Sequence, residues 1–214
     1  MKQGLFGGTF NPIHSGHVKA AEQILEILDI DRICFIPSNI PPHKDQKELA
    51  TPEQRYEMVK LATHGNDRFS ISDFEISSNK ESYTIDTLKY FKDKLPEDDL
   101  YFIVGHDIFN QIDIWKEYKK LFELSNFIVI SRPGYFDDDE DLPLAIKDDF
   151  RYDKTETGNT YYKHKNSNLI IKTQIEGIDI SSSEIRELIK NNKPIHELVP
   201  PKVEQYIFDN NLYA

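Results

Sequence analysis

With 214 residues, 38% of them apolar, the chain can bury one sizeable core, and its length fits a single domain carrying at most a small insertion. A net charge of −11 excludes the broad basic face that nucleic acids require, although a few cations in a cleft can still reverse the local potential. One cysteine excludes an internal disulfide, and no apolar run nears the roughly 20 residues that span a bilayer. The opening MKQGLFGGTF also lacks the apolar stretch of a signal peptide, so a cytoplasmic protein without membrane attachment is expected.

The predicted elements alternate. Lys2 to Gly7 reads as a strand, and Gly16 to Leu28 as a helix with Val18, Ala21, Ile24, Leu25 and Leu28 on one face. Asp31 to Pro37 is a second strand whose near-continuous apolar run, including Cys34, suits a parallel strand covered on both faces. A proline-rich loop spans Pro37 to Lys44. Thr51, Pro52 and Glu53 then start a helix reaching about Thr63. Strand material is expected at Phe69–Ile76, Leu100–Gly105, Asn126–Ser131 and Leu169–Lys172. Helices are expected at Thr84–Lys94, in short pieces at Asp107–Asp113 and Lys116–Phe122, and at Ser182–Lys190 and Lys202–Asn210. Residues 135 to about 168 are acidic and tyrosine-bearing without a clear period, and read as an insertion or flap. The whole is an α/β pattern: a doubly wound, Rossmann-like, mainly parallel sheet with helices on both faces.

In such sheets, ligands bind beyond the carboxyl ends of the strands, where strand order reverses. The motif Gly7-Gly8-Thr9-Phe10-Asn11-Pro12-Ile13-His14-Ser15-Gly16-His17 falls at such an end. Its glycines let backbone approach a polyanion and tolerate positive φ. The following helix offers free N–H groups and a partial positive charge. His14 and His17 can donate ring N–H bonds to phosphate oxygens from nearly one direction. An ordinary turn and cap account for either part alone; strand, glycine turn, H-x-G-H and helix in this order point to a nucleotide site.

Further candidates lie near other strand ends. Ile180-Ser181-Ser182-Ser183-Glu184-Ile185-Arg186 sets hydroxyls before a helix and puts Arg186 where it opposes the macrodipole, a placement that phosphate binding explains. Pro41-Pro42-His43-Lys44 is a stiff loop presenting a cation. Ser82-Tyr83-Thr84 opens a helix whose amides suit a small carboxylate. Trp115, beside Lys116, is either core packing or a platform for a planar ring. Asp107 is either a ribose partner or a cap. Arg55 reads equally well as a surface residue. No zinc set, Walker A loop or GxGxxG fingerprint is present, so no metal site is expected on the protein itself.

GGTFNPIHSGH, PPHK at 41–44, SYTIDTL at 82–88, GHD…W at 105–115, SRPG at 131–134 and ISSSEIR at 180–186 occur in this order. The first resembles the nucleotidylyltransferase signature shared with the HIGH module of class I tRNA synthetases. The set resembles the bacterial nicotinate mononucleotide adenylyltransferase family, over nearly the whole chain outside 135–168. That resemblance implies transfer of the adenylyl group of ATP, with Mg²⁺ bridging its phosphates, to nicotinate mononucleotide, giving nicotinic acid adenine dinucleotide and pyrophosphate. It implies catalytic roles for His14, His17 and Arg186. ATP would be held by Gly7, Gly8, Thr9, Phe10, Gly105, Ser182 and Ser183 together with those three. The mononucleotide would meet Lys44, Tyr83, Thr84, Asp107, Trp115, Lys116 and Arg132, with Trp115 stacking the pyridine and amides of Thr84 and Lys116 receiving its carboxylate. Asn11 stands where the family commonly has Asp, and a third serine stands where it often has Thr. A nicotinamide mononucleotide or phosphopantetheine adenylyltransferase, a tRNA-synthetase-like protein and a non-catalytic nucleotide sensor are the alternatives. The expected form is a monomer or a homo-oligomer.

Overall fold

The computed structural model describes residues 1–40, 49–78, 80–131, 142–176 and 180–214. Its eight strands form one sheet. They are β1 (Lys2–Gly8), β2 (Arg32–Pro37), β3 (Phe69–Ile71), β4 (Asp99–Gly105), β5 (Asn126–Ser131), β6 (Phe150–Glu156), β7 (Asn159–His164) and β8 (Leu169–Gln174). The spatial order is β3-β2-β1-β4-β5-β8-β7-β6. The first six in that order pair in parallel, while β7 and β6 add on antiparallel. Order reverses between β1 and β4, the place where a doubly wound sheet opens a crevice.

The helices are α1 (Ser15–Ile27), α2 (Pro52–Thr63), α3 (Thr84–Lys94), α4 (His106–Phe109), α5 (Tyr118–Leu124), α6 (Leu144–Lys147), α7 (Ser182–Lys190) and α8 (Pro201–Asp209). Strand period 2 divides the buried side chains between the two faces of the sheet. Phe6, Ile33, Phe35, Ile103 and Ile128 pack against Ile24, Met58, Ile185 and Ile207 from α1, α2, α7 and α8. Leu5, Cys34, Ile36, Phe102, Val104 and Phe127 pack against Ile85, Leu88 and Phe91 of α3 and Leu121 and Phe122 of α5. Cys34 is a packing residue, its thiol pushed up to about 11 by burial. No described helix is long and apolar enough to cross a membrane.

Two expectations change. The strand expected over Phe69–Ile76 stops at Ile71, and residues Ile76–Ser78 form a 3-10 turn instead. The segment read as an aperiodic insertion over about 135–168 carries regular structure in its described part: α6 and the β6–β7 hairpin, which extend the sheet. The acidic run Asp137–Asp141 lies outside the described residues. The missing period has a physical cause: six of the seven β6 residues are exposed, so no buried face imposes alternation. The hairpin gains its side-chain support from aromatic neighbours, Tyr152 on Tyr162 and Phe150 on His164.

Candidate active site

A cleft of about 1300 Å³ opens beyond the carboxyl ends of β1 and β4. Gly7, Gly8, Thr9, Phe10, His14 and His17 line it from the first strand end, and Gly105, Asp107, Trp115 and Lys116 from the end of β4. Tyr83 and Thr84 reach it from the start of α3; Ser182, Ser183 and Arg186 from the start of α7. Four stretches far apart in sequence thus meet in one space. Lys44 and Arg132 lie outside the described residues.

The glycines serve close approach rather than a left-handed backbone. A Cβ on Gly8 would stand 2.9 Å from the Phe10 ring, and one on Gly7 3.2 Å from the Phe102 ring. The left-handed residue of the motif is Phe10, with φ of 48°. At Gly105, by contrast, a Cβ would meet nothing within 4 Å, consistent with its position on the open cleft wall.

His14 caps α1 and is 7% exposed, with its ring 3.7 Å, centre to centre, from that of His17. His17 Nδ1 accepts the backbone N–H of His14 at 3.3 Å. An accepting Nδ1 leaves the ring proton on Nε2, so His17 has a defined donor in its neutral form.

At α7 the three serines divide their work. Ser181 is the cap, accepting the Glu184 N–H while the Glu184 carboxylate accepts its own. The Ser182 hydroxyl donates to the Pro12 carbonyl at 2.9 Å. Ser183 accepts from Arg186 Nη2, and Arg186 Nη1 donates to the Asn11 carbonyl at 3.0 Å. The start of α7 is thereby stitched to the motif loop.

The opposite end of the cleft is built differently. Tyr83 caps α3 with no side-chain cap bond, so its own side chain does not occupy the first-turn amides. The Lys116 ammonium lies 4.3 Å from the Tyr83 ring centre and 3.5 Å from Asp86. Trp115 is half-buried, its ring perpendicular to that of Phe102. Asp107 is exposed in the single turn of α4.

Three residues carry weight that the sequence reading missed. Arg55 is 1% exposed, not a surface residue. Its guanidinium donates to four carbonyls, those of Ala50, Thr9, Ser38 and Asn39, at 3.1, 2.8, 2.6 and 2.7 Å. It shares the buried stripe Arg55, Met58, Val59 and Thr63 of α2, a helical spacing that marks an arginine facing inward. Asn11 is 3% exposed, and its side-chain oxygen accepts both the Ala50 N–H and the Tyr213 hydroxyl. Glu75, 9% exposed at the edge of the cleft, accepts from the Thr87 hydroxyl at 2.6 Å. Burial pushes its carboxyl above the ordinary range, against the pull of Thr87, Ser82 and Arg55.

A cytidylyltransferase-like family model matches residues 5–188. A probable nicotinate-nucleotide adenylyltransferase of Geotalea daltonii is 42% identical over 215 residues, covering all of this chain and 98% of that protein. One from Clostridium botulinum is 39% identical over 213 residues, covering 100% of this chain and 99% of its own length. Among solved structures, the Plasmodium falciparum nicotinic acid mononucleotide adenylyltransferase complexed with NaAD superposes with a TM-score of 0.74. It is 23% identical, with 99% of this chain and 96% of that one covered, a likeness of fold. Matched end to end by such relatives, the chain belongs to the nicotinate-nucleotide adenylyltransferase family.

Proposed function

We propose that the protein transfers the adenylyl group of ATP to nicotinate mononucleotide, releasing pyrophosphate and forming nicotinic acid adenine dinucleotide. The observation that carries this reading is the convergence of a histidine–arginine wall and a helix start without a side-chain cap bond on one cleft. ATP enters as its Mg²⁺ complex. Among the described residues no group of three or more His, Cys, Asp or Glu could hold a metal. Mg²⁺ keeps several waters and binds largely through substrate phosphates. The ion supplies charge neutralisation to the phosphates.

The acceptor's 5′-phosphate attacks the α-phosphorus in line with the departing pyrophosphate. A phosphate monoester with a second pKa of about 6 is mostly dianionic near neutrality, so the protein needs no general base. The chain's contribution is alignment and charge. The Nε2–H of His17 and the ring of His14 meet the oxygens of the transferring phosphate, with Gly7, Gly8, Thr9 and Phe10 setting how closely backbone approaches. Arg186, with Ser182 and Ser183 at the start of α7, holds the leaving pyrophosphate, while Gly105 leaves room for the nucleotide. At the other end Trp115 stacks the pyridine, the amides of Thr84 and Lys116 receive its carboxylate, and Asp107 meets a ribose hydroxyl. Tyr83, Lys44 and Arg132 complete the acceptor side. The reaction belongs in the cytoplasm, where the lone buried thiol of Cys34 stays reduced.

The test compares pyrophosphate release from ATP·Mg²⁺ with nicotinate mononucleotide, nicotinamide mononucleotide and phosphopantetheine as acceptors. A strong preference for the nicotinate form is expected. Preference for another acceptor overturns the carboxylate pocket, and no release with any of them overturns the reaction.

A further inference from the structure

We propose that Tyr213 is a positioning residue for adenylyl transfer, acting through Asn11 on the arginine and histidines of the phosphate wall. This rests on the reaction proposed above. The Tyr213 hydroxyl donates to Asn11 Oδ1 at 2.8 Å, across 202 residues of sequence. The same oxygen accepts the Ala50 N–H at 2.9 Å. An amide oxygen has two lone pairs, so these two donors saturate it and fix the side chain in one orientation. The backbone carbonyl of Asn11 is the acceptor for Arg186 Nη1, and the next carbonyl, that of Pro12, is the acceptor for Ser182. His14 follows two residues later. A rotation of the Asn11 segment therefore displaces the arginine, the serine and the capping histidine together.

Delivery of the tyrosine is itself specified. Leu212 is buried, and its N–H donates to the Ile207 carbonyl at the end of α8. Asn211 and Tyr213 on either side adopt left-handed backbone, with φ of 49° and 66°. Side-chain-bearing residues keep such angles where surrounding contacts hold them. Burial pushes the Tyr213 phenol well above its ordinary range, while Arg186 and Arg55 pull it back. The hydroxyl thus keeps its proton at neutral pH and remains a donor.

The experiment is a double-mutant cycle in the full chain with Tyr213→Phe, Asn11→Ala and the pair. Initial rates are measured with ATP·Mg²⁺ and nicotinate mononucleotide, and hydrogen exchange is followed over residues 9–17. Tyr213→Phe should lower kcat about tenfold while KM for either substrate moves less than about twofold. Asn11→Ala should lose at least as much, and the pair no more than Asn11→Ala alone. Exchange over 9–17 should quicken in Tyr213→Phe at an unchanged overall melting temperature. A kcat for Tyr213→Phe within about twofold of the parent, or losses that multiply in the pair, overturns the proposal. If the parent shows no turnover, it is the reaction that fails; unchanged exchange in Tyr213→Phe then separately overturns the coupling.

Discussion

The two ends of the cleft are made by different means. At the end proposed to hold the phosphates, buried and half-buried hydrogen bonds tie the segments together: Arg55 to four carbonyls, Ser182 to Pro12, and Arg186 and Tyr213 to Asn11. At the acceptor end the side chains are half-exposed or exposed, held by a surface ion pair between Lys116 and Asp86 and by the perpendicular ring contact of Trp115 with Phe102. Charge moves at the first end during the proposed reaction, and fixed dipoles stabilise moving charge without reorganising. The second end only has to recognise, and recognition tolerates adjustment. Substitutions at the phosphate end should therefore cost turnover, and those at the acceptor end should cost affinity.

His17→Ala gives the largest expected effect. Loss of one oriented donor should lower kcat by about a hundred- to a thousandfold with little change in the KM for ATP. Steady-state rates in a protein of unchanged melting temperature decide it. A loss confined to KM would make the phosphate end a recognition surface and dissolve the contrast.

Next comes Arg55→Met, which keeps bulk and removes the donors. Four carbonyls lose charged partners while one buried cation no longer has to be desolvated, for a net loss of about 3 kcal/mol. For a chain of this size that is a fall in melting temperature of roughly 6–12 °C. A fall below about 2 °C would show that the phosphate end does not depend on this cross-link. Trp115→Ala is smaller and of the other kind. Losing the proposed stacking should raise the KM for the mononucleotide about tenfold and leave that for ATP unchanged. Equal shifts in both would place the ring against the adenine side.

The same contrast explains what could be read from the chain. Strands β4 and β5 and helices α3 and α7 were legible because each has a continuous apolar face or a cap: Leu100–Gly105 and Asn126–Ser131 are buried runs, and Ser181 with Glu184 starts α7. The β6–β7 hairpin was not, since β6 is exposed and β7 is half-buried throughout its middle, so neither alternates between faces. The expected site residues that fall within the described part of the chain all line one cleft. The roles of Arg55, Asn11, Glu75 and Tyr213 were not legible because their meaning lies in partners: an arginine on an apolar stripe was the one signal, and nothing local marks Tyr213 as the donor to a residue near the start of the chain.

The smallest expected effect sharpens the acceptor end. Glu75 accepts from Thr87 in the first turns of α3, close to the amides proposed to meet a carboxylate. Burial raises its pKa in the folded state above the unfolded value, so the native protein binds this proton more tightly. Its contribution to stability is then complete below the ordinary carboxylate range and is lost as pH rises through the raised native value. Gln is neutral at every pH and keeps the oxygen that Thr87 needs. The melting temperature of Glu75→Gln minus that of the parent should therefore grow as pH rises from about 4 to about 8, while other titrations common to both cancel. A difference that shrinks over that range would mean that Arg55 and the two hydroxyls win, leaving a carboxylate beneath the α3 start. An anionic acceptor would then be opposed by a fixed negative charge, whereas a Glu75 of raised pKa holds its proton to higher pH than an ordinary carboxyl and weakens that opposition.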